Sequence, residues 1–109
     1  MRKIEKPWGY ELIWTETDRY VGKVLHIVEG SSLSLQYHKV KDETVMVKSG
    51  VLTLELDKKT FRLEPGESKR IPAGSIHRMS ALEGDVDVIE VSTPELDDVV
   101  RLEDMYGRT

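Results

Sequence analysis

Four polar side chains, Gln36, His38, Glu43 and His77, have the types and spacing that suit metal chemistry. Two imidazole nitrogens, a carboxylate and an amide oxygen are all donors that a divalent ion accepts. Gln36 and His38 stand two apart, so on a strand running from Ser34 to His38 both point to the same face. Glu43 opens the next β-rich run, Thr44-Val45-Met46-Val47-Lys48, after the short polar connection Lys39-Val40-Lys41-Asp42. His77 follows Ile71-Pro72-Ala73-Gly74-Ser75, where Pro and Gly turn the chain before a new strand carries the imidazole inward. A pair on one strand, a third donor on its neighbour and a fourth from farther along make a cage for one ion.

Taken singly, each residue also has a plainer reading: a surface or hydrogen-bonded histidine, a solvated strand-end glutamate, an ordinary polar glutamine. The joint pattern argues for the site, because Gly30, Gly50, Gly66, Pro72 and Gly74 stand at turn positions around the four. His26, the remaining histidine, has no such frame and is left out.

Gly30 to Gly50 resembles the first cupin motif, with its ligand pair one residue apart, its glutamate and its closing glycine. Gly66 to Ala81 resembles the second, with Gly66, Pro72, Gly74 and His77 in register. Gln36 in place of the usual first histidine resembles the phosphomannose isomerase branch. Ser34-Leu35-Gln36-Tyr37-His38 is similar to that branch's SLQMH run, and Ile71 to Arg78 to its IPAGTPHR run. Lys6-Pro7-Trp8-Gly9 resembles its RPWG opening, and Asp97 to Arg108 its DDIVRFEDRYGR ending. Nearly the whole chain is thus similar to type II mannose-6-phosphate isomerases, including the isomerase part of two-domain enzymes that also carry mannose-1-phosphate guanylyltransferase. Departures fall at Lys39, Val40 and Thr44, where the branch often has further histidines, and at Lys69-Arg70 and Ala81. None removes a ligand, but all bear on substrate recognition.

The elements that must position the four read almost entirely as strand. Trp8 to Trp14, Tyr20 to Val28, Ser32 to His38, Glu43 to Lys48 and Val51 to Leu56 come first. Thr60 to Leu63, Ser68 to Ile71, His77 to Ala81 and Val86 to Ser92 follow. Asp57-Lys58-Lys59 reads as a turn, and Leu52, Leu54 and Leu56 alternate with more polar neighbours. Short strands at this spacing predict an all-β, single-domain jelly-roll barrel over residues 1–109, which is the cupin fold the resemblance implies. Only Glu95 to Tyr106, behind Pro94, has room for a short C-terminal helical or irregular segment. If Ser34, Gln36 and His38 face the ion, then Leu33, Leu35 and Tyr37 face outward and need a cover. Either the N-terminal strands or a second subunit supplies it, and a homodimer is the expectation. Trp8 and Tyr10 read as packing for an N-terminal strand.

Composition bounds the rest. With 109 residues, 39% of them hydrophobic, the expectation is one globular domain with a modest core and no room for a second catalytic domain. The chain has no cysteine, so neither disulfides nor thiolate ligands contribute. No apolar run approaches the roughly 20 residues needed to cross a bilayer, and the first residues lack a signal-peptide core, so a cytoplasmic location is expected. A net charge of -4 and aromatics that do not interleave with Arg or Lys argue against nucleic acid.

The donor set suits a divalent first-row ion, Zn, Mn, Fe, Co or Ni, and does not choose among them. The resemblance places Lys23 and Arg101 near the pocket: Lys23 as a phosphate holder or a base, Arg101 as a stabiliser of negative charge. Both also read as surface salt-bridge residues. Glu90 interrupts an apolar run and reads either as a pocket residue or as an exposed edge. The function implied is a metal-dependent sugar-phosphate isomerase acting on mannose 6-phosphate and fructose 6-phosphate. The alternatives are another metal enzyme on this fold, a dioxygenase or epimerase-like protein, and a non-catalytic sugar-binding protein.

Overall fold

The structure is a computed structural model that describes residues 1–104 and Tyr106. It is all-β, with β1 (Arg2–Lys6), β2 (Gly9–Glu16), β3 (Val21–Ile27), β4 (Leu35–Tyr37), β5 (Glu43–Ser49) and β6 (Leu52–Leu56) in its first half. The second half holds β7 (Lys59–Leu63), β8 (Ser68–Ile71), β9 (His77–Ser80), β10 (Val86–Ser92) and β11 (Val100–Glu103). One sheet has the order β1-β2-β3-β10-β5-β8 and the other β11-β4-β9-β6-β7. Every pairing within them is antiparallel. Among the described residues no helix is long and apolar enough to cross a membrane.

Alternation builds the core. Leu52, Leu54 and Leu56 point inward from β6 while Thr53 and Glu55 do not, and Val45, Val47, Val86, Val88, Leu25 and Ile27 meet them from the opposite sheet. Each fully buried side chain of this kind contributes about 1.5–3 kcal/mol relative to exposure. The β6–β7 hairpin turns on Asp57 and Lys58, both at positive φ (49° and 70°), the conformation a two-residue hairpin needs to match strand twist. Asp57 then holds the loop before β9: its Oδ1 accepts from the Ile76 amide at 3.0 Å, and its own amide donates to the Ile76 carbonyl. At Gly50, with φ +80°, a Cβ would lie 2.2 Å from the Asp85 carbonyl oxygen, so only glycine lets β5 pass β10 there.

Two strands escape the sequence reading. β1 carries one apolar residue, Ile4, among charges, and β11 is four residues long. Both are edge strands, which need no apolar face on two sides and so show little periodicity. The helical option for Glu95 to Tyr106 is corrected: 95–99 form turns and Val100–Glu103 pairs with β4. Within that segment, and within the C-terminal motif, Met105, Gly107 and Arg108 lie outside the described residues. A helix loses here because Asp98 and the strand that follows make more valuable contacts across the barrel, described below.

The outward placing of Leu33 is also corrected. β4 begins only at Leu35, and Leu33 turns in to pack against the core, its amide donating to the Met79 carbonyl at 2.9 Å. Leu35 and Tyr37 are half-buried, and the N-terminal strands that were one candidate cover lie in the other sheet. Trp8 packs in the core as expected, whereas Tyr10 stacks on His26 at a 4.9 Å ring separation.

Candidate metal centre

β4 ends one residue before His38, β5 starts at Glu43, and β9 starts at His77, so the donors stand at strand ends that the two sheets bring together. The Cα of Gln36 is registered opposite His77, and the loop before β9 is tied to His38 by the Gly74 amide, which donates to the His38 carbonyl at 2.7 Å. One ligand atom each from His38, Glu43 and His77 lies within 4.8 Å of the others, and all three residues are buried. Gln36 lines the same cavity wall, its Oε1 accepting from Ser34 Oγ at 2.5 Å.

Proton positions decide what this cluster is for. Each imidazole directs Nδ1 at a backbone carbonyl, His38 to Asp98 at 2.5 Å and His77 to Ser75 at 3.0 Å. A carbonyl only accepts, so Nδ1 carries the hydrogen, and in the neutral ring Nε2 is a bare lone pair. Burial is the largest influence on both rings and holds their pKa values below the ordinary histidine range; the Lys41 charge adds to this at His38. The two Nε2 lone pairs face Glu43, His77 at 3.5 Å from Oε1 and His38 at 3.6 Å from Oε2, too far for hydrogen bonds. His38 Nε2 and His77 Nε2 are buried with no hydrogen-bond partner, and among the described residues the one cation at the Glu43 carboxylate is the ammonium of Lys41, 3.0 Å from Oε2. Two imidazole lone pairs aimed at a carboxylate are costly when buried and are satisfied by a cation among them. The residues present therefore fit a divalent ion, with both imidazoles oriented by the second hydrogen bond that ligating histidines use.

Next to the donors lies a buried cation that sequence reading left in a polar turn. Lys41, 5% exposed, sets Nζ 3.0 Å from Glu43 Oε2 and 3.3 Å from Glu90 Oε2. Burial works to lower the Lys41 pKa, but the charges of Glu90 and Glu43 outweigh it and leave the ammonium above its ordinary range. For Glu90 burial pushes the carboxyl up, and Lys41 and Lys23 overcome that to leave it below its usual value. Glu43 rises instead, through burial and the Glu90 charge. One signal in the sequence identifies Lys41: it shares the inward parity of Glu43, Val45 and Val47.

Lys23, 7% exposed, is buried beside the centre, registered opposite Glu90 and ion-paired to Glu11 Oε1 at 3.5 Å. Glu90 is buried rather than at an exposed edge, being 4% exposed. Arg101 is registered opposite Gln36 on β11 and lines the cavity. Lys23, Gln36, His38, Glu43, Glu90 and Arg101 thus share one cavity of about 210 Å³.

Asp98 is the other residue that reading missed. Its carboxylate accepts from the amides of Lys39, Val40 and Lys41 at 2.8–3.0 Å while its carbonyl orients His38. Those three amides, Lys41's first, hold its pKa at about 2. A carboxyl depressed in the folded state stabilises above its unfolded pKa of 3.8 and loses that stabilisation as pH falls toward 2. Asp98→Asn is expected to melt below the parent at pH 7, with the gap closing between about pH 4 and pH 2. Thermal melts across that range check it; a gap unchanged by acid would contradict the clamp.

Over residues 1–104 the chain matches the family described as mannose-6-phosphate isomerase C-terminal. It belongs to that family. The domain is 37% identical to mannose-1-phosphate guanylyltransferase of Escherichia coli over 115 residues, covering 98% of this chain and 23% of that protein. It therefore spans under a quarter of the length of that relative. The isomerase-family domain also superposes on KdgF from Halomonas sp. with TM-score 0.82 and 25% identity, covering 90% of each chain. A sugar phosphate isomerase of the cupin superfamily from Silicibacter pomeroyi gives TM-score 0.69 and 25% identity, covering 77% of this chain and 58% of that one. The fold is the cupin jelly roll, and the family is the one its sequence motifs resemble.

Proposed function

We propose that this domain is a metal-dependent aldose–ketose isomerase of sugar phosphates, interconverting mannose 6-phosphate and fructose 6-phosphate. The observation that carries the reading is the pair of unpartnered, buried Nε2 lone pairs of His38 and His77 aimed at the Glu43 carboxylate, beside a cavity lined by both signs of charge. Family membership supports the substrate class. Gln36, His38, Glu43 and His77 would hold the ion. When bound there, a divalent ion supplies positive charge to the carbonyl and hydroxyl oxygens of an open-chain sugar.

The chain's own residues supply the rest. Glu90 is buried, lines the cavity and is held below its usual carboxyl range by Lys41, whose Nζ lies 3.3 Å from Oε2; a carboxylate so placed suits a base that takes the proton from C2 of the aldose and returns it to C1 of the ketose. Lys23, ion-paired with Glu11, suits holding charge across the cavity rather than accepting a proton. Arg101 is the side chain for the negative charge that develops on the sugar oxygens, since a guanidinium stays protonated and binds two oxygens at once. The homodimer is likewise proposed, with Leu35 and Tyr37 in its contact; sedimentation at the mass of a single 12.5 kDa chain would end that idea.

Metal analysis of protein purified without added ions, followed by a coupled assay on mannose 6-phosphate, tests the assignment. Fully loaded protein with no turnover would sink it. Arg101→Ala is expected to keep the ion and lose about a hundredfold in kcat/KM, the scale of one lost donor to a developing oxyanion. Full activity in that variant would remove Arg101 from the chemistry.

A further inference from the structure

We infer that β1 supplies an anion-binding subsite in which Lys6, facing Arg101 across the cavity mouth, receives the phosphate of the substrate. The inference rests on the isomerase reading and names the part of the site that reading leaves open. Deep inside, each cation has its carboxylate: Lys41 has Glu43 and Glu90, and Lys23 has Glu11. These ammonium groups offer little net positive charge to an incoming dianion. Lys6 also lines the cavity, is only half-buried, and makes no ion pair with any described residue.

Position agrees with charge. Arg2, Ile4 and Lys6 share the inward parity of β1, an edge strand, and all three line the cavity. Arg101 comes from β11, the edge strand of the other sheet. Exposure rises from His77 at 1% and Glu43 at 2% to Lys23 at 7%, then to half-buried Lys6 and Arg101, so the two edges frame the mouth. Arg2 lies farther out and is engaged by Glu16 at 3.3 Å. An aldose phosphate with C1 and C2 at the ion directs its phosphate away from the donors, toward that mouth. There a phosphate carrying roughly two negative charges meets an uncommitted ammonium from one sheet and a guanidinium from the other.

The test titrates zinc-loaded protein with mannose 6-phosphate, inorganic phosphate and mannose, in the parent, Lys6→Met and Lys6→Arg. Expected for Lys6→Met is an affinity for mannose 6-phosphate and for inorganic phosphate lower by about tenfold or more, the scale of one charge-assisted hydrogen bond. Mannose binding and zinc content stay at the parent's values, and Lys6→Arg recovers most of the loss. In the coupled assay KM rises with kcat within about threefold, since the lost contact is made equally in ground and transition states. Parent-like phosphate binding by Lys6→Met in a protein that turns over mannose 6-phosphate overturns the subsite and leaves the isomerase standing. Binding of inorganic phosphate that depends on Lys6, without any turnover, upholds the subsite and removes the isomerase instead.

Discussion

Replacing His77 by alanine is expected to abolish the ion and turnover together. The imidazole is 1% exposed, and its Nε2 is one of the convergent donors that no hydrogen bond satisfies. Loss of an outer-shell partner alone typically costs 10–100-fold in metal affinity, so loss of a direct donor is expected to exceed about a hundredfold. The metal-free protein gives a second, opposite readout. Truncating a well-packed buried ring usually costs about 3–5 kcal/mol through the cavity left behind. Here the truncation also removes a lone pair that faces the Glu43 carboxylate at 3.5 Å, so the metal-free cost is expected to fall clearly below that range. Metal content by elemental analysis and urea unfolding with and without zinc check both halves. Retained stoichiometric metal in His77→Ala would end the assignment of the centre.

Lys41→Met is expected to have the largest effect on stability. It leaves Glu43, 2% exposed, and Glu90, 4% exposed, as neighbouring buried carboxylates without their shared ammonium. Breaking a buried pair by removing one partner costs about 3–5 kcal/mol, a large part of the 5–15 kcal/mol that holds most domains folded. Methionine keeps the volume of the stem, so the loss reports charge rather than a hole. Zinc is expected to restore part of the stability, because a cation at the donors compensates Glu43. A metal-free Lys41→Met protein within about 1 kcal/mol of the parent, by urea unfolding, would mean that the two carboxyls simply take up protons and that Lys41 does not set the charge of the centre.

The side chains of the centre were legible because their chemistry is local. A Gln-x-His pair on a strand, a glutamate at the start of the next and a histidine after a Pro-Gly turn each announce themselves by type and parity. The structure brings one ligand atom each of His38, Glu43 and His77 within 4.8 Å of the others, and Gln36 lines the cavity beside His38 and Glu43. Glu90 showed as a charge inside an apolar run, and Lys41 followed the parity of β5, though its place in a charged connection made it look solvated. Asp98 gave no such sign. It acts on residues nearly sixty positions away, His38 to Lys41, and no spacing along the chain encodes that approach.

By itself the sequence determined which faces are wet and which are dry, where most strands lie, and which donors are available to an ion. Those properties depend on side-chain type and a period of two, which are fixed before any strand finds its partner. Only the tertiary structure decided that β1 and β11 exist, that residues of both line the cavity, and that the Glu95 to Tyr106 segment forgoes a helix. It also decided which carboxylates Lys41 would neutralise and which histidine Asp98 would hold. Edge strands and buried ion pairs draw their stability from partners distant in the chain, and that energy appears only when the two sheets close on each other.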